Sequence, residues 1–272
     1  MNLKKIIVEE TLKFLGEGYS EVDDLTDLAD EIMDYFAQNN VGMIDKIYKK
    51  GLDIDTLQFP NDQQYLSKIV TNPAEYTSDI ATFIKTFPVL IKFVNNITSS
   101  GLYGDKKGWF KDKKMIRLNL NRNSFTNSIA KRTAAPEGSR IDNYSILREA
   151  LSTDIKSTLV HELQHAYDDY RSGGKYTTDK SSREYYKTNK FDPLDPNATM
   201  TDAQKEMYYN LPHEQWARFS ETLSRMDITG KSFDDVKEEF AQIYIGYNRL
   251  SPQDQRRLLK ALYKYVDNKK FS

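Results

Sequence analysis

The stretch Leu159-Val160-His161-Glu162-Leu163-Gln164-His165-Ala166-Tyr167-Asp168-Asp169-Tyr170 decides how the rest of the chain is read. Around it, Leu147, Leu151, Ile155, Leu159, Leu163, Ala166 and Tyr170 recur at helical steps. This period predicts one long helix over about 146–171 with a single buried stripe. Gly173-Gly174 is a sufficient stop signal for it. On such a helix residues four apart stand one turn above each other, so His161 and His165 can reach a single ion from one face. Neutral imidazole nitrogen is a good Zn²⁺ ligand. Glu162 is rotated by about 100° from His161, beside such an ion and not under it. From there its carboxylate can take a proton from metal-activated water.

The bland alternative is an exposed turn that happens to carry two histidines. The chain has 3 His in 272 residues, and two of them fall in this one motif. Leu159, Val160 and Leu163 also make the helix half-buried, where imidazoles lacking a partner are costly. Both points favour the metal reading. Zinc then needs a third protein ligand, with a fourth position left to water. The pattern H-E-x-x-H-x-x-G-x-x-H is excluded, because Asp168 and Arg171 occupy the places of its Gly and last His. The remaining His lies in Tyr209-Asn210-Leu211-Pro212-His213-Glu214-Gln215-Trp216-Ala217-Arg218. Pro212 marks a helix start there, which puts His213 and Glu214 in the first turn. Neighbouring helical residues point about 100° apart, so one of the two faces an ion and the other does not. Glu214 could instead be an ordinary first-turn acid paired with Arg218 one turn on.

These residues resemble a family. His161-Glu162-Leu163-Gln164-His165-Ala166-Tyr167-Asp168-Asp169-Tyr170 is similar to the zinc helix of gluzincin metallopeptidases, the thermolysin-like H-E-L-x-H-A-x-x-D-Y in particular. Pro212-His213-Glu214-Gln215-Trp216-Ala217-Arg218 resembles the P-x-E-x-x-A-R helix of predicted zincin peptidases from phage and bacterial genomes. The resemblance covers roughly residues 100–225. It implies a zincin fold and zinc-dependent peptide hydrolysis, with His161, His165 and Glu214 as ligands and Glu162 as general base. Two features depart from the pattern. Glu214 lies much farther from His165 than the third ligand does in thermolysin, and His213 beside it is the alternative third ligand. If Glu214 is the ligand, His213 is left to support the site from one side.

Asp168 is three residues past His165 and could orient an imidazole, or could simply be solvated. The alternating Ile116-Arg117-Leu118-Asn119-Leu120 reads as a strand. It is either the edge strand that a substrate peptide extends, as in zincins, or plain sheet core. Tyr208 and Tyr209 are weak candidates for donors to an oxyanion. Trp216, Phe219, Leu223 and Met226 recur at helical spacing and read as core.

Outward from the site, residues 3–15 and 22–38 carry helical periods, the second opening with acids that suit its dipole. The apolar segment 76–97 is divided by Pro88, which ends or kinks a helix and allows a strand after it. Ser99-Ser100-Gly101 and Gly104 to Gly108 read as turns, and 121–144 as a polar loop. Residues 172–200 lack any period and read as a mobile flap. Helices over 201–209, 212–227, 233–247 and 252–268 close the chain, the last after Ser251-Pro252. The expectation is a mostly helical α+β, zincin-like fold with a small sheet. Its domains would be a helical N-terminal region, 1–97, and a metallopeptidase domain, 98–272.

Composition narrows the function. Aromatics at 12% and charged residues at 29% belong to a folded chain. Lys and Arg total 39 against 40 Asp and Glu, a net charge of −1, so no bulk field attracts nucleic acid or a membrane surface. No run is long and apolar enough to span a bilayer. The absence of Cys excludes a thiol nucleophile and a thiolate metal site. The opening Lys4-Lys5-Ile6-Ile7-Val8-Glu9 is too short and acidic for a signal peptide, so the expected location is cytoplasmic, or in the virion if a phage encodes the chain. The expected partner is a protein or peptide substrate, hydrolysed with Zn²⁺. The rival reading is a phage structural or partner-binding protein that keeps the scaffold with little turnover and binds through its N-terminal helices.

Overall fold

The structure, a computed structural model, describes residues 21–44, 63–96, 100–105, 114–133, 142–173 and 201–269. The expected first helix at 3–15 and most of the expected flap at 172–200 lie outside these residues. The chain divides into two compact units, one of residues 25–174 and one of residues 1–24 with 175–272.

The unit of residues 25–174 is an α+β assembly. Helix α1 (Glu21–Asn40) buries Leu25, Leu28, Ala29, Ile32, Met33, Phe36 and Ala37 as one stripe. Strand β1 (Gln63–Tyr65) and a one-turn helix α2 (Leu66–Ile69) follow. Helix α3 (Ser78–Thr86) stops before Pro88, and strand β2 (Val89–Asn96) begins directly after it. Both outcomes expected of Pro88 occur, since the ring can neither continue a helix nor donate to a ladder.

Strands β3 (Ser100–Asp105) and β4 (Lys114–Asn121) complete a mixed sheet of order β1-β2-β4-β3. β2 and β4 run parallel, with Ile91 beside Ile116 and Phe93 beside Leu118. β1 and β3 are antiparallel to their neighbours. Ile91, Phe93, Ile116, Leu118 and Leu120 are fully buried, and the Phe36 ring of α1 lies 4.5 Å from that of Phe93. Helix α4 (Arg122–Thr133) leads to the long helix α5 (Asn143–Arg171).

α5 starts at Asp142, whose carboxylate accepts the Ser145 amide at 3.0 Å. That bond and the Ser145 hydroxyl hold the Asp142 carboxyl below its ordinary range. It ends at Gly173, whose φ of 66° favours glycine. α5 is tied to α1 by Arg148 on Asp30 and Asp34, by Lys156 on Asp30 at 2.7 Å, and by the Tyr144 hydroxyl donating to Asp34 at 2.8 Å. From Val160 to Tyr167 every residue of α5 is buried.

Two expectations are corrected here. Residues 122–133 are helix and not loop, because Phe125 and Ile129, one turn apart, are both buried. Ser100–Asp105 is a strand despite its two glycines, held by antiparallel pairing to β4. Of the two alternatives for Ile116–Leu120, the sheet-core one holds: β4 is an interior strand between β2 and β3. The parallel β2–β4 ladder joins residues on both sides of position 97/98.

The second unit is helical among its described residues. It comprises α6 (Asp202–Tyr209), α7 (Pro212–Leu223), α8 (Phe233–Ile243) and α9 (Pro252–Lys269). Its core holds Phe219, Leu223, Val236, Phe240, Tyr244, Leu258, Leu262 and Val266, with Val22 from the first turn of α1. Trp216 and Met226 pack against this core half-buried. Capping boxes start two helices, Thr201 with Gln204 and Ser232 with Asp235. Ser251 accepts the Asp254 amide at 3.1 Å at the head of α9. No helix among the described residues is long and apolar enough to cross a membrane.

Candidate metal centre

On α5, His161 and His165 are 8% and 7% exposed, and their Nε2 atoms lie 3.0 Å apart. The ring centroids are 4.6 Å apart and the planes are nearly perpendicular, at 87°. Two imidazoles joined head-to-head by a linear hydrogen bond would hold their centroids farther apart than this. The rings therefore meet at an angle, with both Nε2 atoms brought to one place. Two imidazole nitrogens this close in a buried position are stabilised by a shared proton or a shared cation. Glu162, one residue on, is also buried, at 6% exposure.

On α7, Pro212 occupies the first helical turn with His213 and Glu214. Pro212 needs no donor there, and the acid suits the positive end of the helix dipole. Glu214 is 3% exposed. His213 is half-buried, with Nε2 3.6 Å from the Glu214 carboxylate. Ala217, one turn short of Glu221, is fully buried.

His161, His165 and Glu214 form a buried group that could hold a metal ion, their ligand atoms all lying within 4.8 Å of one another. Two imidazoles and one carboxylate suit a divalent cation that leaves further positions open. The residues present fit such an ion, since both Nε2 atoms are brought to one place. His213, the alternative ligand, stands outside this group and against Glu214.

The neighbours differ from the sequence expectations in detail. Asp168 accepts a hydrogen bond from the Gln164 amide at 2.9 Å. Its neighbour Asp169, to which the sequence reading assigned nothing, is completely buried and pairs with Lys114 of β4 at 3.0 Å. The signal for it was its spacing: His161, His165 and Asp169 follow one another at four-residue steps.

Arg218 does not pair with Glu214. Its ion pair is with Glu221, at a distant 4.0 Å, and Glu221 is engaged by Arg225 at 2.5 Å. The guanidinium lies against the rings of Tyr209 and Tyr208, at 4.8 and 5.8 Å from their centroids. Burial works against its charge, but Tyr208, Glu214 and Glu221 outweigh that and keep it protonated. The backbone carbonyl of Gln215 accepts the Tyr244 hydroxyl at 3.1 Å, and its side-chain oxygen accepts from Arg257. Burial pushes the Tyr244 phenol well above the ordinary tyrosine value, so it stays a donor.

No family model, curated protein or solved structure matches this chain.

Proposed function

We propose that this protein is a zinc-dependent metallopeptidase that hydrolyses peptide bonds. The observation that carries the reading is the buried His161–His165 pair, with Nε2 atoms converged to 3.0 Å and a buried Glu162 between them in sequence. In this reading His161, His165 and Glu214 hold the ion, and the nitrogen-rich donor set without thiolate favours Zn²⁺ among divalent metals. Zinc, when bound, supplies a Lewis acid that brings the pKa of water to about 7.

Glu162 takes the proton from the attacking water and delivers it to the leaving amine, as a general base and then a general acid. The substrate in this reading is an extended peptide. Among the described residues β3 is an outer strand of the sheet, and α5 packs against both β3 and β4. A peptide adding to β3 would satisfy its own backbone by main-chain hydrogen bonds.

The test is elemental analysis of protein purified after zinc-replete expression, followed by incubation with an unfolded protein substrate with and without a chelator. About one zinc per chain and chelator-sensitive cleavage are expected. Bound metal without cleavage of any peptide would favour a binding protein on the same scaffold, and no bound metal would overturn the reading.

A further inference from the structure

Arg218 is a poorly satisfied charged group among the described residues of the C-terminal unit. Its side chain is only 14% exposed. Its Nε is buried and donates to nothing, and among the described residues the guanidinium makes no hydrogen bond. Its one ion pair, with Glu221, is 4.0 Å long. Nε is thus a buried donor left over, which native proteins almost always satisfy, while the terminal NH groups remain within reach of solvent or of a ligand. Leaving that donor unsatisfied costs stability unless a ligand completes it.

The group is also held in a fixed orientation. It lies against the ring of Tyr209, and the other support of that ring is backbone. Gly246 has φ of 86°, and a Cβ built on it would stand 2.8 Å from Cγ of Tyr209. Only glycine lets the chain come this close. The stack Gly246–Tyr209–Arg218 thus fixes the plane of a guanidinium that has no bond of its own. Arg218 is one helical turn beyond Glu214, on the same face of α7. A planar, charged fork with open donors matches a carboxylate, to which it can donate two parallel bonds.

We infer that Arg218 is a receptor for a carboxylate of the bound peptide, either its free C-terminus or an acidic side chain. This rests on the peptidase reading of Glu214 and its group, and it names the substrate as one bearing a negative charge beside the scissile bond. It makes Arg218 a specificity residue in contact with substrate, not a support for the ligand Glu214.

The test is the Nε–H resonance of Arg218, assigned by its loss in Arg218→Lys. Wild-type protein is titrated with acetyl-Ala-Ala, with its C-terminal amide, and with acetyl-Glu-Ala amide. The signal is expected to move with a carboxylate-bearing probe and to stay still with the plain amide. Movement with acetyl-Ala-Ala assigns the C-terminus; movement with acetyl-Glu-Ala amide assigns an acidic side chain. No movement with either overturns the inference. Arg218→Met keeps length without charge, and its affinity for the responding probe is expected to fall about ten- to a hundredfold. Metal content is measured on the same samples. Loss of metal in Arg218→Met would make Arg218 a prop for Glu214 and overturn the inference. If Arg218→Met fails to fold, the wild-type titration still decides. Repeating that titration on chelated protein separates the two readings. A carboxylate response in a protein that never holds metal sinks the peptidase reading alone, while cleavage indifferent to charge, with a silent resonance, sinks this one alone.

Discussion

Lys114 Nζ lies 3.0 Å from the carboxylate of Asp169, a side chain with no exposure at all. The pair joins the first residue of β4 to the last turns of α5, one turn past His165. It anchors the sheet to the helix that carries the histidines. The two partners are not equivalent, because Lys114 keeps 17% of its side chain in solvent while Asp169 keeps none.

Lys114→Met therefore removes a cation from beside a fully buried carboxylate, whereas Asp169→Asn leaves a lysine that can turn to water. The first is expected to cost up to about 3–5 kcal/mol and the second distinctly less. Urea unfolding of both variants checks the order. Equal losses would mean that the burial of Asp169 does not control the pair.

His161→Ala is expected to abolish metal binding and to lower the melting temperature in the presence of zinc. The binding energy of a site absent from the unfolded chain is folding energy, worth about 2–4 °C per kcal/mol in a chain of this size. Calorimetry with and without added zinc is the measurement. A variant that melts like wild type and still responds to zinc would remove His161 from the site.

Glu162→Gln is expected to keep both metal and fold while losing cleavage, since an amide cannot accept the proton. Metal content and peptide turnover are read on one preparation. Turnover at the wild-type rate would assign the base elsewhere.

Glu214→Ala is expected to weaken zinc binding by more than the 10–100-fold that loss of a supporting residue produces, and His213→Ala by no more than that. Competition with a chelator of known affinity measures both. The opposite result would replace the carboxylate with a third imidazole.

Gly246→Ala is expected to destabilise the C-terminal unit by about 1–3 kcal/mol, from a left-handed backbone carrying a side chain and from displacement of Tyr209. Denaturant unfolding gives the cost, and the Arg218 Nε–H resonance should shift in the folded variant as its stacking partner moves. An unmoved resonance would mean that Tyr209 does not position Arg218.

Several elements were legible in the chain because they depend on local rules. The period from Leu147 to Tyr170 gives a helix whatever surrounds it, and four-residue spacing puts His161 and His165 on one face. Pro88 separates α3 from β2, and Pro212 opens α7, because a residue without an amide hydrogen has few places to stand. Zinc and proteolysis go further than local rules, and they rest on the chemistry of the donor set.

Other features depended on partners distant in sequence. Phe125 and Ile129 are two apolar residues in a polar segment, and only packing shows that they suffice to seat a helix. The alternation of Ile116 to Leu120 marks a strand but is blind to its neighbours, so its interior position between β2 and β3 came from the pairing alone. Glu214 and His213 are adjacent, and their first-turn placement is the same in the sequence. What separates them is placement: Glu214 falls in the group with both imidazoles, while His213 rests against its carboxylate. Asp169 and Arg218 were ordinary charges in the sequence. Burial, which no local pattern encodes, is what gives an ion pair or an unsatisfied guanidinium its consequence.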